Sequence, residues 1–182
     1  MHKIQVEDKE FEIFLENETI NKRIRLMGIQ MNVDYEKKCP LFIGVLNGSF
    51  LFLADLIKEV DIPCEVAFMR VASYEGTSSS GQVKELIGLP ENIEGRDIIV
   101  VEDIVDTGLT LTYILKTIKE KNPASVKVAS LLLKPSALKY EMEDLAYIGF
   151  EIPNEFVVGY GLDYNGLGRN LIDIYRATGH NF

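Results

Sequence analysis

One stretch near the middle of the chain, residues 98–110, constrains the fold more than any other feature of the sequence. It reads IIVVEDIVDTGLT, so that four aliphatic residues run directly into the two acids Glu102 and Asp103. A continuous aliphatic run of this kind is typical of a strand buried on both faces, as in a parallel sheet covered by helices. Acids that follow such a strand lie at the carboxyl edge of the sheet, where open α/β sheets bind their ligands.

A Thr-Gly-x-Thr turn over residues 107–110 follows a third acid, Asp106, and leads into a helical pattern. Backbone amides and hydroxyl groups at the start of a helix form a common anion-binding site. Carboxylates beside such a turn therefore predict a phosphorylated substrate that is carried with a divalent metal. The sequence contains neither G-x-G-x-x-G nor G-x-x-x-x-G-K-[ST], so it does not favour a dinucleotide-binding fold or a nucleoside triphosphatase.

The rest of the chain alternates between strand patterns and helix patterns. Apolar residues recur at helical spacing from Asn17, a possible N-cap, to Met31. Two further helices are predicted, over residues 50–60 and from Thr107 or Thr110 to residue 118, whereas residues 135–154 show a less regular pattern. Besides the central strand, predicted strands cover residues 11–15, 40–46, 64–74, 83–89, 125–133 and 155–160. This alternation predicts one α/β domain over residues 1–182, with a mostly parallel central sheet flanked by helices.

Polar residues stand at the ends of four predicted strands. These are residues 47–49 (Asn-Gly-Ser), Glu102 with Asp103, Lys134, and Asp163. Because parallel strands end at one edge of their sheet, these residues predict a single shared site. Other interpretations stay open for two of them, since Lys134 could be a surface lysine and Asp163 could form an Asx turn.

Two other features also allow two interpretations. The aromatic residues Phe156 and Tyr160 are more typical of a core than of a platform for a ligand. Residues 75–82, EGTSSSGQ, are small and polar, which fits either a hairpin tip or a lid that closes over a site. This segment is longer than the roughly two to five residues of an ordinary hairpin loop, which favours the lid.

Composition and charge narrow the function classes. The net charge of −9 disfavours nucleic-acid binding, which needs clustered lysine and arginine. The two cysteines, Cys39 and Cys64, lack the spacing of a zinc site and predict free, buried thiols in a reduced cytoplasmic setting. The histidines, His2 and His180, stand near the termini and beside no nucleophile motif, which argues against a serine hydrolase. No apolar run reaches the roughly 18 to 20 residues of a membrane span, and the first residues lack the pattern of a secretion signal.

Residues 100–110, VVEDIVDTGLT, resemble the phosphoribosyl-pyrophosphate motif of the type I phosphoribosyltransferase family. More narrowly, the chain resembles the hypoxanthine(-guanine) phosphoribosyltransferases of that family. Asp106 sets this resemblance apart from the orotate and adenine phosphoribosyltransferases, which usually lack an acid at that position. Residues 156–164, FVVGYGLDY, narrow the resemblance to the enzymes that use 6-oxopurines. Further matching segments are LNGSF at 46–50, SY at 73–74, LLK at 132–134 and RNL at 169–171.

This resemblance implies a fold and a reaction. The central sheet would carry a small hood built from about residues 1–16 and 150–182. The enzyme would transfer the phosphoribosyl group of phosphoribosyl pyrophosphate to hypoxanthine, and also to guanine, giving IMP or GMP and pyrophosphate in purine salvage. It would use Mg²⁺, act as a cytoplasmic homodimer or homotetramer, and have no nucleic-acid or membrane partner.

The resemblance also assigns roles to the matching positions. Asp106 would be the catalytic acid or base at purine N7, Lys134 would donate to the purine O6, and Phe156 would stack on the base. The phosphoribosyl donor would contact Glu102, Asp103, Asp106, Thr107, Gly108, Leu109 and Thr110. Pyrophosphate would contact Leu46, Asn47, Gly48, Ser49 and Arg169, and the purine would contact Lys134, Phe156, Val157 and Asp163. Mg²⁺ would be held by Glu102, Asp103 and Asp163, and the lid would include Ser73 and Tyr74.

Two positions depart from the family pattern. Many members carry lysine in place of Asn47, often after a cis peptide, and Leu109 replaces a lysine found in some members. The phosphate groups must then rely on backbone amides and hydroxyl groups at these positions. Two rival functions stay open: a guanine- or xanthine-preferring transferase, against which Phe156 in place of tryptophan argues, and a regulatory RNA-binding protein on the same fold. Asp106 and the net charge of −9 argue against the second rival.

Overall fold

The computed structural model describes residues 3–73, 83–90 and 92–179, which form two sheets and three α-helices. The helices are α1 Asn17–Asp34, α2 Phe50–Lys58 and α3 Leu109–Lys119, and a short 3-10 helix covers Pro135–Ala137. The strands are β1 Lys3–Val6, β2 Lys9–Leu15, β3 Leu41–Leu46, β4 Glu65–Ser73, β5 Val83–Ile87, β6 Asp97–Val105, β7 Ser125–Leu133, β8 Leu145–Glu151, β9 Val157–Val158 and β10 Ile174–Ala177.

The larger sheet has six strands in the order β5-β4-β3-β6-β7-β8. Five of them run parallel, and β5 pairs antiparallel with β4. Helices cover both faces, which explains the continuous aliphatic run of β6: Ile99 and Val101 pack with α1 and α2, whereas Ile98 and Val100 pack with α3. The predicted mostly parallel sheet flanked by helices is therefore confirmed.

A smaller antiparallel sheet has the strand order β1-β2-β10-β9. It has its own apolar cluster, in which Phe11 and Val158 are fully buried. Its strands come from the two ends of the chain, the segments from which the family resemblance implies a hood. The domain boundaries themselves stay a prediction.

The strand predicted over residues 155–160 was wrong in length and in sheet. Only Val157 and Val158 form β9, and they pair with β10 of the smaller sheet. The reason is local, because residues 159–161 have φ angles of 102°, 50° and 98°, which no strand can accommodate. Asp163 therefore follows a sharp turn and does not stand at the end of a parallel strand, as the sequence suggested.

Three other predicted boundaries need correction. Strand β8 lies within the stretch that was predicted to be less regular, and it pairs parallel with β7. Helix α3 begins at Leu109, with Gly108 as its N-cap, and not at Thr107 or Thr110. Helix α1 has Glu16 at its N-cap position, while the backbone amide of Asn17 donates to Asp173 Oδ1 at 2.7 Å.

The two cysteines are free, as predicted, but the prediction that both are buried was wrong. Cys39 is exposed and Cys64 is half-buried. Each precedes a strand of the larger sheet, β3 or β4, and Cys64 packs against the edge of the apolar cluster formed by the sheet with α1 and α2. Within the described part of the chain, no helix has the length and apolar character that crossing a membrane requires.

Candidate active site

The larger sheet changes its direction of winding between β3 and β6. From β3 the chain continues to β4 on one side, and from β6 it continues to β7 and β8 on the other side. β3 pairs with β6 only from Ile98 to Val101, whereas β7 pairs with β6 as far as Val105. The last part of β6, residues 102–105, thus lies beyond the pairing with β3, at a position where open α/β sheets commonly bind ligands.

Two acids of β6, Glu102 and Asp103, lie at this position. They belong to the strand and do not follow it, which corrects the predicted strand end. Burial, followed by the charge of Asp103, raises the pKa of Glu102 well above its usual range. Burial also raises the pKa of Asp103 to about 6, against the opposing effects of the Ile104 amide and of Arg169.

The carboxylates offer the oxygen ligands that Mg²⁺ prefers. Glu102 is 7% exposed, and the structure records no hydrogen bond or ion pair between its carboxylate and any other described residue. A buried carboxylate without a positive partner is unfavourable, so a divalent cation beside it would be stabilising. Asp163 differs, because its two oxygens already bind Arg169 Nη2 and the Gly166 amide, each at 2.7 Å. The described residues contain no ready-made group of three or more metal-binding side chains.

Replacing Glu102 by glutamine is expected to stabilise the free protein at pH 8, because the variant lacks the buried carboxylate whose ionisation is unfavourable in the folded state. Because the pKa of Glu102 is raised, its favourable contribution is present at low pH and is lost as the pH rises through the folded-state pKa. The difference in the free energy of unfolding between the variant and the original protein therefore shrinks as the pH falls from 8 to 5. Urea unfolding in the presence of a chelator, at pH 8 and at pH 5, measures this difference.

The exposed residue Glu36 supplies the control for this experiment, since Glu36→Gln removes a carboxylate that is not buried. In the same unfolding experiment, added Mg²⁺ is expected to stabilise the original protein more than it stabilises the Glu102→Gln variant. A variant that is less stable than the original protein at pH 8 without metal would contradict the assignment of an uncompensated buried charge.

Residues 46–49 approach Asp103 from the end of β3. The peptide between Leu46 and Asn47 is cis. Gly48 has no room for a side chain, because a Cβ atom there would overlap Asp103 Oδ2. Ser49 is fully buried and its hydroxyl group donates to the Val45 carbonyl at 2.7 Å, so it is engaged within the protein.

The loop that follows β9 reaches the same place. A Cβ atom at Gly161 would overlap the Gly48 carbonyl oxygen, and Gly161 has a φ of 98°, so this position is suited to glycine on both counts. Arg169 Nη1 donates to the Gly161 carbonyl at 2.7 Å, and its Nη2 pairs with Asp163. Two of the residues predicted to contact pyrophosphate are therefore close to the acids, Gly48 to Asp103 and Arg169 to Asp163.

The Thr-Gly-x-Thr turn forms a small pocket of about 100 Å³, which is lined by Glu102 and residues 104–111. Gly108 has a φ of 84°, and its carbonyl accepts a hydrogen bond from Thr112 Oγ1 at 2.9 Å. The first amides of α3 have no acceptor within their own helix, as at the start of any helix. The Leu109 amide donates to Thr107 Oγ1 at 3.4 Å, and the amides that follow it in the first turn are available to an anion.

A segment that sequence reasoning missed packs against this turn. The Lys139 amide donates to the Thr107 carbonyl at 3.0 Å, and a Cβ atom at Gly108 would overlap the end of the Met142 side chain. No motif in residues 138–142 signals this contact. It follows from the path of the chain between β7 and β8.

Asp106 and Lys134 form an ion pair at the adjoining ends of β6 and β7. Lys134 Nζ lies 2.9 Å from Asp106 Oδ2, and the Lys134 amide donates to the Val105 carbonyl at 3.0 Å. The Lys134 side chain is only 8% exposed, whereas that of Asp106 is 47% exposed. Lys134 is thus not a surface lysine, which removes that interpretation of the sequence.

The aromatic residue predicted to stack on the purine belongs to a cluster of three rings. Phe156 and Tyr164 meet edge to face with centroids 5.7 Å apart, and Phe11 of β2 lies 6.3 Å from each of them. Val157, the next residue, is buried. Phe156 is thus held from the side of the smaller sheet, which the sequence alone did not indicate.

The predicted lid lies mostly outside the described residues. Tyr74 and residues 75–82 are not among them, and Ser73 is the last residue of β4. The predicted role of this segment therefore stays a prediction.

Comparison with known proteins agrees with this geometry. A family model described as a phosphoribosyl transferase domain matches residues 11–165. The hypoxanthine-guanine phosphoribosyltransferase of Bacillus subtilis is 44% identical over 160 residues, which are 87% of this chain and 88% of that protein. The bifunctional protein TilS/HprT of Listeria monocytogenes is 46% identical over 160 residues, which are 87% of this chain but only 24% of that protein.

Among solved structures, a hypoxanthine phosphoribosyltransferase from Staphylococcus aureus matches with a TM-score of 0.86 at 40% identity. The match covers 91% of this chain and 90% of that chain. Fold and sequence thus agree over most of the molecule. The chain belongs to the phosphoribosyltransferase family and, within it, to the hypoxanthine(-guanine) phosphoribosyltransferases.

Proposed function

We propose that this chain transfers the phosphoribosyl group of phosphoribosyl pyrophosphate to hypoxanthine, and to guanine, giving IMP or GMP and pyrophosphate. The observation that carries the proposal is the ion pair of Asp106 and Lys134 beside the pocket of the Thr-Gly-x-Thr turn. It combines a carboxylate for proton transfer, an ammonium group for a carbonyl oxygen and a phosphate-sized pocket. The relatives named above, which carry this activity in their names, support it.

The donor would bind with its 5′-phosphate in the pocket of the turn. Amides of the first turn of α3 and the hydroxyl groups of Thr107 and Thr110 would contact the phosphate oxygens. Glu102 and Asp103 would bind the ribose hydroxyl groups. Leu109 contributes no charge at this turn and is 40% exposed, so the pocket would rely on backbone and hydroxyl groups.

The leaving pyrophosphate would lie by the cis peptide and Arg169. Asn47, Gly48 and the arginine could donate hydrogen bonds to oxygens that gain negative charge as the ribosyl bond breaks. Arg169 is held by the Gly161 carbonyl and by Asp163. Its guanidinium group is therefore preorganised before the donor arrives, which reduces the reorganisation needed during the reaction.

The purine would lie between Phe156 and the end of β7. Stacking on the Phe156 ring would orient its plane, and the Val157 backbone would bind its edge. Lys134 would donate to O6, and a 6-amino group there would leave the buried ammonium without an acceptor. A mismatch of this kind can discriminate between bases by about 10⁴-fold.

Asp106 would accept the proton from purine N7 as N9 forms its bond to ribose C1, and would return it in the reverse reaction. It is the more exposed partner of its ion pair, so it can meet a substrate while Lys134 stays buried. Binding of O6 would draw the ammonium group toward the purine, which would free the carboxylate to act as the base.

Mg²⁺ is a further part of this proposal. Glu102, Asp103 and Asp163 would hold it together with donor oxygens, and Asp163 would do so while its oxygens also bind Arg169 and the Gly166 amide. When bound, the ion would neutralise charge on the pyrophosphate. We further propose a cytoplasmic homodimer or homotetramer, with Ser73 and Tyr74 in a lid that excludes water.

A direct assay tests the proposal. The protein is mixed with Mg²⁺, phosphoribosyl pyrophosphate and one of four bases: hypoxanthine, guanine, xanthine or adenine. Formation of IMP and GMP with release of pyrophosphate is expected, and adenine is expected to react about 10⁴-fold less efficiently. The absence of product with every oxopurine would refute the proposal. A product with xanthine alone would favour the rival function, a guanine- or xanthine-preferring transferase.

A further inference from the structure

A partly buried hydrogen bond links two segments of the candidate site through side chains to which the sequence assigned no role in the site. The Tyr160 hydroxyl group donates to Asp55 Oδ2 at 2.5 Å, across 105 positions of the sequence. Tyr160 is 2% exposed, and burial, together with the neighbouring Asp55, raises its pKa, so that the phenol remains a neutral donor. Asp55 lies on α2 and also pairs with Lys58.

Tyr160 has a backbone conformation that it would not adopt without support. Its φ is 50°, and it stands between two glycines with φ of 102° and 98°. Left-handed backbone is unfavourable for a residue with a Cβ atom. The Tyr160 amide donates to the Leu171 carbonyl at 2.8 Å, so the main chain and the side chain are both anchored.

Each end of the Tyr160–Asp55 hydrogen bond adjoins a different part of the pyrophosphate region. On the Asp55 side, α2 begins at Phe50, directly after the cis-peptide loop that contains Gly48. On the Tyr160 side, the next residue is Gly161, which packs against the Gly48 carbonyl and accepts a hydrogen bond from Arg169.

We propose that Tyr160 and Asp55 are positioning residues for pyrophosphate binding. Their hydrogen bond fixes the loop containing Gly161 against α2, and thereby sets the distance between Arg169 and the Gly48 amide. The two side chains act through these groups and do not bind the ligand themselves. The inference rests on the proposed function, because it assigns the pyrophosphate group to this part of the site.

The molecule offers a matched control for a purely structural role. Tyr147 donates to Asp34 Oδ2 at 2.7 Å and joins β8 to α1. It is also buried, at 7% exposure, and no residue of the candidate site belongs to either of these elements. Tyr147→Phe thus removes the same kind of hydrogen bond at a distant place.

The experiment measures binding of pyrophosphate with Mg²⁺ by titration calorimetry, which requires no turnover. Tyr160→Phe is expected to weaken binding about five- to tenfold, the effect of one hydrogen bond. It is expected to raise KM for phosphoribosyl pyrophosphate by a similar factor while KM for hypoxanthine changes less than about twofold. Tyr147→Phe is expected to leave all three quantities unchanged. Asp55→Asn keeps an acceptor oxygen and is expected to weaken binding only about two- to threefold.

Several outcomes would overturn the inference. Unchanged pyrophosphate binding in Tyr160→Phe would do so, as would an equal loss in Tyr147→Phe. Should Tyr160→Phe not fold, Asp55→Asn takes its place in the same titration, and unchanged binding has the same meaning. If the unsubstituted protein binds pyrophosphate but forms no nucleotide, only the proposed function is refuted. If it binds no pyrophosphate, the proposed function and the positioning role of Tyr160 and Asp55 are both refuted.

Discussion

Replacing Asp106 by asparagine is expected to lower turnover with hypoxanthine by about 100- to 10,000-fold, the usual contribution of a positioned acid or base. Asparagine has nearly the same shape and keeps an oxygen that can accept from Lys134 Nζ, which lies 2.9 Å from Asp106 Oδ2. The geometry of the turn should therefore persist while the capacity for proton transfer is lost. Steady-state kinetics with hypoxanthine measures the loss, and calorimetry is expected to show that the donor still binds.

The control for this variant is Asp144→Asn. Asp144 also forms an ion pair with a lysine, Lys119, at 2.5 Å, but at the far side of α3 from the Asp106 turn. Its replacement is expected to leave kcat within about twofold, since an exposed pair contributes little. Unchanged turnover in Asp106→Asn would remove Asp106 as the acid or base, whereas lost donor binding would show a mainly structural role.

Replacing Lys134 by methionine is expected to reduce kcat/KM for hypoxanthine by about 1,000-fold or more. The buried ammonium group would be lost, and with it both the donor to O6 and the positive partner of Asp106. Because adenine lacks O6, its use should not fall in proportion. The ratio of kcat/KM for hypoxanthine to that for adenine is therefore expected to fall strongly.

Lys127→Met provides the comparison on the same strand. Lys127 stands on β7 toward its other end, paired in register with Ile99 of β6. Its replacement is expected to change neither kcat/KM nor the ratio between the bases. A Lys134→Met variant that keeps the original ratio would show that another group selects the oxo form of the purine.

The acids, the turn and the central strand could be predicted from the sequence because their signals are local. An aliphatic run followed by Glu102 and Asp103 indicates a buried strand and its end, and Gly108 marks the turn. The predicted end of the strand was wrong, because β6 continues to Val105 through pairing with β7 alone. That pairing involves residues distant in sequence and leaves no local pattern.

Strand β8 was missed for a related reason. Its sequence, LAYIGFE, contains Ala146 and Gly149, which have little preference for strands. The structure explains the glycine, because a Cβ atom at Gly149 would overlap the Leu131 carbonyl oxygen of β7. A glycine can permit two strands to approach closely, as Gly149 does, or it can interrupt a strand. The sequence alone does not distinguish these two roles.

The individual contacts between distant segments could not be predicted. The sequence placed Glu102, Asp103 and Lys134 at one edge of the sheet, but the ion pair between Asp106 and Lys134 depends on the exact register of β6 and β7. The hydrogen bond between Tyr160 and Asp55 joins a loop to a helix, and no sequence motif links these two residues. Only the folded chain brings them together.

The division of the molecule into two sheets has a consequence for how base preference can change during evolution. The phosphate turn and its acids belong to the parallel sheet, while Phe156 and its aromatic neighbours Phe11 and Tyr164 belong to the antiparallel sheet or adjoin it. If the proposed roles hold, substitutions in the aromatic cluster can reshape the proposed base pocket without disturbing the proposed donor site. A lineage on this scaffold could acquire a new nucleobase while its use of the sugar donor stays intact.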